Sequence, residues 1–161
     1  MKNKIIAFAR LSSESQRLQS QGKRIVATNG CFDILHVGHV RYLAAAKTRG
    51  DVLIVGLNGD KSVRQLKGPG RPINREQERA EVLAAVESVD YVVIFPDVRA
   101  TKFLAAARPA VYVKGGDYTP ETLEAAEREA LEKTGSKIEI IPFERGYSTS
   151  ALLKRIKACG S

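Results

Sequence analysis

Arg24-Ile25-Val26-Ala27-Thr28-Asn29-Gly30-Cys31-Phe32-Asp33-Ile34-Leu35-His36-Val37-Gly38-His39 is the stretch that decides the fold of this 161-residue chain. Arg24 to Thr28 carries β-branched side chains that suit a pleated, buried strand. Asn29-Gly30 ends it in a turn. From Val37 to Arg49 the pattern changes to a helical one, with Val40, Leu43, Ala44 and Lys47 at helical spacing, and Gly50 closes it. Asp51 to Leu57 is then a continuous apolar run, as a parallel strand buried on both faces requires.

The same alternation continues downstream. A loop rich in Gly, Pro and Arg precedes a helix from Asn74 to about Val86, with Gln77 three residues after Asn74 in a capping-box arrangement. Strands are expected at Asp90 to Phe95, Ala110 to Val113 and Lys137 to Ile141. Helices are expected at Arg99 to Ala107, Glu121 to Lys133 and Ser148 to Lys157. Upstream, Ile5, Phe8, Leu11 and Leu18 have the spacing of a leading helix within residues 1–20. The order predicts an α/β fold, a Rossmann-like five-stranded, mainly parallel sheet flanked by helices. It reads as a single domain over 1–161, with residues 22–157 as the core. Ligands of such sheets sit beyond the carboxyl ends of strands near the topological switch point. The loops Asn29 to His39 and Lys114 to Asp117 fall at such ends.

Composition narrows the class of function. Hydrophobic residues are 43% and charged residues 27%, ordinary values for a globular protein. No apolar run approaches the roughly 20 residues of a membrane span. No apolar segment of signal-peptide length follows the basic start, so a cytoplasmic location is expected. A net charge of +8 points to an anionic partner. The cations are spread among glutamates, aromatics are 6% and tryptophan is absent, so small phosphorylated ligands explain the charge at least as well as nucleic acid does. Cys31 and Cys159 make neither a disulfide framework nor a zinc site. Cys31 reads as a small residue packed beside a loop and Cys159 as exposed.

Four segments carry the chemistry. His36 and His39, the chain's two histidines, are three residues apart at a helix start and share one face. Helix-start amides and the helix dipole favour an anion there, and Gly30 lets the backbone come close to a phosphate. A metal pair and chance placement are the competing readings, and no zincin-type glutamate accompanies the pair. In Gln65 to Asn74, Lys67 stands over a triphosphate or is an ordinary surface cation. Arg71, with Arg79 beyond, holds substrate phosphates by forked hydrogen bonds or is simply solvated. Val113-Lys114-Gly115-Gly116-Asp117-Tyr118 suits a base or ribose site, or is a tight turn capped by Asp117. Ser148 and Thr149 open the last helix, where Ser148 caps it or both residues hold phosphates.

His36-Val37-Gly38-His39, after the first strand and an aromatic-Asp turn, resembles the HxGH signature of the nucleotidyltransferase superfamily. Asn29 to His36, Leu66-Lys67-Gly68-x-x-Arg71-Pro72-x-Asn74 and Val113 to Tyr118 together resemble the heptose 1-phosphate adenylyltransferases. That activity occurs as the second domain of bifunctional ADP-heptose synthases and as a stand-alone enzyme; this chain looks like the stand-alone form. The resemblance implies transfer of AMP from ATP, with Mg²⁺, to a sugar 1-phosphate, releasing pyrophosphate, for lipopolysaccharide core precursors. His36, His39 and Lys67 would be catalytic. Gly30, Cys31, Phe32, Gly38, Lys114, Gly116, Asp117, Ser148 and Thr149 would bind nucleotide. Asp33, Arg71 and Arg79 would bind substrate, although Asp33 equally suits orienting the turn. Tyr147 stands where related enzymes often have Cys or Ile. The alternatives are a cytidylyl- or guanylyltransferase acting on a metabolite such as glycerol 3-phosphate, a non-catalytic nucleotide sensor, and a basic nucleic-acid-binding domain. A homodimer is expected, twofold dimers being the commonest assembly.

Overall fold

A computed structural model describes residues 4–116, 119, 122–142 and 146–159. The β-branched and leucine-rich runs form β1 (Ile25–Gly30), β2 (Val52–Asn58), β3 (Tyr91–Phe95), β4 (Val111–Gly115) and β5 (Lys137–Ile141). All pairings between them are parallel, in the order β3-β2-β1-β4-β5. The chain therefore builds outward from β1 to β3, then returns to lay β4 on the other side of β1. That reversal leaves a crevice above the carboxyl ends of β1 and β4, where the loops splay apart.

Parallel strands need crossovers, supplied here by α2 (Val37–Lys47), α3 (Asp60–Lys67), α4 (Glu76–Ala84), α5 (Thr101–Ala107) and α6 (Ala125–Thr134), while α1 (Leu11–Ser20) precedes β1 and α7 (Thr149–Cys159) follows β5. Alternation along the strands divides the core into two layers. Ile25, Ala27, Ile54, Phe95 and Tyr112 pack with Leu11 and Leu18 of α1, Phe103 and Leu104 of α5 and Leu131 of α6. Val26, Leu53, Val55, Leu57, Val92 and Val113 face the other way, onto Tyr42 and Leu43 of α2 and Leu83 of α4. Most of these side chains are inaccessible to solvent. Each buried aliphatic group stabilises the fold by roughly 1.5–3 kcal/mol relative to exposure.

Three expectations need correction beyond shifted bounds such as that of α6, which begins at Ala125 and not at Glu121. Ile5 does not belong to a leading helix. It bridges Val92 in parallel, and Ile6 N–H donates to Val92 O at 3.0 Å. A 3₁₀ turn at Phe8–Arg10 follows, so α1 begins only at Leu11. Second, α3 lies inside the segment read as loop. Of its eight residues, Asp-Lys-Ser-Val-Arg-Gln-Leu-Lys, only Ser62 and Val63 are buried, and its apolar side chains are just Val63 and Leu66, too short a pattern to mark a helix in the sequence. Asp60 in its first turn and Arg64 and Lys67 in its last complement the helix dipole instead. Third, α4 starts two residues late. Its cap is Arg75, whose N–H donates to Glu78 Oε2 at 2.9 Å, because Asn74 is committed elsewhere.

Candidate active site

The end of β1 and the start of α2 set one wall of the crevice. His36 is the N-cap residue of α2 and is extended (φ −140°, ψ 170°), and His39 occupies the third helical position. Their imidazoles stack with centroids 3.8 Å apart and planes at 25°. His36 N–H donates a long hydrogen bond, 3.4 Å, to His39 Nδ1. In a neutral ring the accepting Nδ1 places the proton on Nε2, which is then the donor left to a ligand. Phe32, at φ +42°, turns its ring onto His39 at 5.3 Å. A Cβ on Gly30 would lie 2.9 Å from that ring. Gly30 thus makes room for Phe32 in the first place. Gly38 has a similar constraint: a Cβ there would meet Tyr147 Cβ at 2.9 Å and His36 Nδ1 at 3.1 Å.

Burial lowers the affinity of both rings for a proton. His36 is held below the ordinary imidazole value by desolvation, and His39 falls to about 4 through desolvation first and the neighbouring His36 second. A folded-state value below the unfolded one of about 6.5 means the unfolded chain binds more protons between these two values. Stability contributed by neutral His39 is therefore present above pH 6.5 and is lost as pH falls toward 4. Urea unfolding at pH 7 and pH 5 should show the wild type losing stability over this interval. His39→Asn should show a smaller loss. Equal losses in the two proteins would contradict the burial effect. Lys114 on β4 is likewise lowered by burial, opposed by Glu127, and its Nζ donates to Tyr112 Oη at 3.3 Å. Burial also raises the Cys31 thiol, which fits a packing role.

The loop between α3 and α4 forms the facing wall, clamped by Asp33. Asp33 Oδ1 accepts from Ile73 N–H at 2.7 Å and Asn74 N–H at 3.1 Å, and Asn74 Nδ2 donates to Asp33 O at 2.9 Å. Arg71 Nε pairs with Asp33 Oδ2 at 2.7 Å, with the carboxylate side chain 1% exposed. Of the two readings of Asp33, this geometry favours orienting the loop. Arg79 is not brought into the crevice at all. It is buried behind it, donating to Asn74 O, Cys31 O and Asn58 O and pairing with Asp60 at 2.8 Å.

The crevice is a cleft of about 880 Å³. It gathers Gly30, Cys31, Phe32, Asp33, His36, Gly38 and His39 from the end of β1, the turn after it and the start of α2, Lys67 and Arg71 from the opposite wall, Lys114 from β4, and Ser148 and Thr149 from the start of α7. Ser148 Oγ accepts from Ala151 N–H at 3.0 Å, so it caps α7 while facing the cleft. Gly116 lies just beyond the lining, its N–H donating to Ile141 O at 3.1 Å. Asp117 lies outside the described residues. Sequence reasoning missed Arg41, Asn58, Arg99 and Glu127 as lining residues. Only the fold brings them there, since none stands in a motif. Among the described residues no three His, Cys, Asp or Glu side chains cluster to hold a metal, and no helix is long and apolar enough to cross a membrane.

Residues 27–155, from β1 into α7, match the model of the cytidylyltransferase-like family. The chain belongs to this family. Cytidylyltransferase-like relatives include the bifunctional protein HldE of Pelobacter propionicus, 47% identical over 156 residues that make up 97% of this chain and 31% of that protein. HldE of Geotalea uraniireducens is 50% identical over 86% of this chain and 28% of its own. The chain thus spans about a third of the length of these relatives. The crystal structure of a lipopolysaccharide core biosynthesis protein from Thermoplasma volcanium superimposes with a TM-score of 0.63 at 27% identity, covering 79% of this chain and 100% of that one. A pantoate-beta-alanine ligase from Francisella tularensis, with a TM-score of 0.61 at 18% identity over 94% of this chain and 72% of its own, shares the fold alone.

Proposed function

We propose that this chain transfers AMP from MgATP to a heptose 1-phosphate, giving ADP-heptose and pyrophosphate. The observation that carries the reading is the placement of the stacked His36–His39 pair, at the opening of α2, across one cleft from Lys67 and Arg71. Two polyanions must meet in such a reaction, and positioning and charge neutralisation do most of the catalytic work. The amides at the α2 and α7 starts and the imidazole N–H groups suit the triphosphate. Mg²⁺ would enter bound to the triphosphate of the nucleotide substrate.

A phosphate oxygen of the sugar 1-phosphate attacks the α-phosphorus of ATP in line. The bond from that phosphorus to the bridging oxygen breaks, and pyrophosphate leaves with the electron pair. Lys67 and His39 meet the charge that grows on the departing oxygens. Arg71, held by Asp33, faces the incoming phosphate. No covalent enzyme intermediate is required, since the nucleophile is already an anion. The likeness to HldE over nearly the whole chain and to a protein of lipopolysaccharide core biosynthesis supports a sugar phosphate acceptor.

The family's cytidylyltransferase-like description keeps a second reading, CTP with glycerol 3-phosphate, in the test. The protein is incubated with Mg²⁺, each of ATP, CTP and GTP, and each anomer of heptose 1-phosphate or glycerol 3-phosphate. Pyrophosphate release and product mass are then followed. ADP-heptose as the main product is the expected result. Turnover confined to CTP and glycerol 3-phosphate would replace it with the second reading.

A further inference from the structure

Among the described residues, Tyr147 is the one phenol or phenyl group that lines the cleft with its ring well exposed. It is 43% exposed, whereas Phe32 and Tyr42 are each 8%. It sits between the two phosphate-binding corners. On one side its neighbours in sequence are Ser148 and Thr149 at the start of α7. On the other, its Cβ would lie 2.9 Å from a Cβ on Gly38, so it rests on the first turn of α2 beside His36. The Arg41 guanidinium, also on the cleft wall, lies over its ring at 5.7 Å from the centroid.

We propose that Tyr147, backed by Arg41, is the platform on which the nucleotide base stacks, and so a specificity-determining residue of the nucleotide subsite. The inference rests on the reading above that the triphosphate lies at the histidine pair. A base is tethered to that triphosphate through one ribose, so its surface must be found beside the phosphate corners. A flat, exposed aromatic ring at that place is covered best by another flat π-system. Arg41 approaches the ring at 5.7 Å from its centroid, within cation–π reach, and the base would take the other face. Glycine at position 38 is what lets the ring come this close to the helix start. Stacking on a phenol accepts any base, with purines covering more of it than pyrimidines. This surface therefore favours ATP over CTP by overlap, independently of hydrogen bonds to the base edge.

The test is calorimetric binding to the full chain of two ligands that differ in the base: MgATP and inorganic tripolyphosphate. Tyr147→Ala and Tyr147→Leu are each expected to weaken MgATP by about 10-fold, the scale of one lost base–aromatic stack, and to leave tripolyphosphate unchanged. Tyr147→Phe keeps the flat ring and should bind MgATP within about twofold of wild type. Tyr147→Leu retains apolar bulk at the α7 start, so a folding defect in the alanine variant does not decide the matter. Equal weakening of both ligands would overturn the proposal by making Tyr147 a support of the phosphate corner. Unchanged or tighter MgATP binding in Tyr147→Leu would overturn it by showing that the ring does not touch the base. Wild type that binds tripolyphosphate as tightly as MgATP would remove the stacking and leave the phosphate site standing. Failure to bind either ligand would remove the phosphate site and this proposal with it.

Discussion

His39→Ala is expected to lower kcat for the proposed ADP-heptose formation by about 10²-fold or more, with a smaller change in the KM for MgATP. The expectation follows from where the ring is and which of its nitrogens is occupied. His39 Nδ1 accepts from the His36 backbone, which leaves Nε2–H as the donor, and Phe32 and His36 hold the ring in place. A donor fixed before the reaction stabilises the charge that forms on the leaving pyrophosphate without reorganising, and the loss of one such donor is worth this factor. The pH profile sharpens the test. With His39 at about 4 in the unliganded protein, kcat/KM should show no limb at the ordinary imidazole value near 6.5 from this ring. His39→Asn, which keeps an N–H donor of similar reach, should recover part of the loss. Near-normal turnover of the alanine variant would take His39 out of the mechanism.

The sequence disclosed those features that depend on local pattern. The strands were legible because buried parallel strands are nearly unbroken apolar runs, as in Val52–Asn58, every residue of which is buried; the edge strand Lys137–Ile141, alternating Ile with Lys and Glu, is also placed where it was expected. The β1–α2 corner of the cleft was legible because two histidines, a glycine and a helix start occur within a few residues. Polar side chains engaged at long range could not be read in this way. Arg79 and Arg71 are both arginines near one loop, and nothing in their neighbours says that one is sealed inside and the other faces the cleft. That difference comes from the return of the chain past Cys31 and Asn58, 48 and 21 residues away from Arg79. The short α3 was hidden for the opposite reason: its apolar side is only Val63 and Leu66, a single turn's worth of pattern, too brief to tell from the Gly- and Pro-rich loop that follows. Tyr147 was visible as a departure from the usual residue, but its meaning depends on Gly38, Arg41 and α7 meeting at one point.

Replacing Arg79 should be the most destabilising single change near the cleft. Its side chain is fully buried, and its donors reach Cys31 O at 2.6 Å, Asn58 O at 2.9 Å, Asn74 O at 3.0 Å and Asp60 Oδ1 at 2.8 Å. These acceptors belong to the turn after β1, the end of β2, the start of α3 and the end of the clamped loop. Arg79→Met fills much of the space but leaves three carbonyls without a donor and Asp60 without its counter-charge. Removing one member of a buried, hydrogen-bonded ion pair costs about 3–5 kcal/mol. Urea unfolding of Arg79→Met should show a loss on that scale. Arg79→Lys keeps the charge but cannot span all four acceptors and should fall between. Arg75→Ala, on the neighbouring exposed position, should change stability little. Turnover should fall along with stability in the Arg79 variants, because Cys31 and Asn74 flank the turn and loop that carry Asp33, His36 and Arg71. The competing view, that Arg79 binds substrate phosphate directly, predicts a variant of normal stability with a raised KM for the sugar phosphate alone. If Arg79→Met unfolds at the wild-type urea midpoint and shows that KM effect, the buried strut described here is wrong.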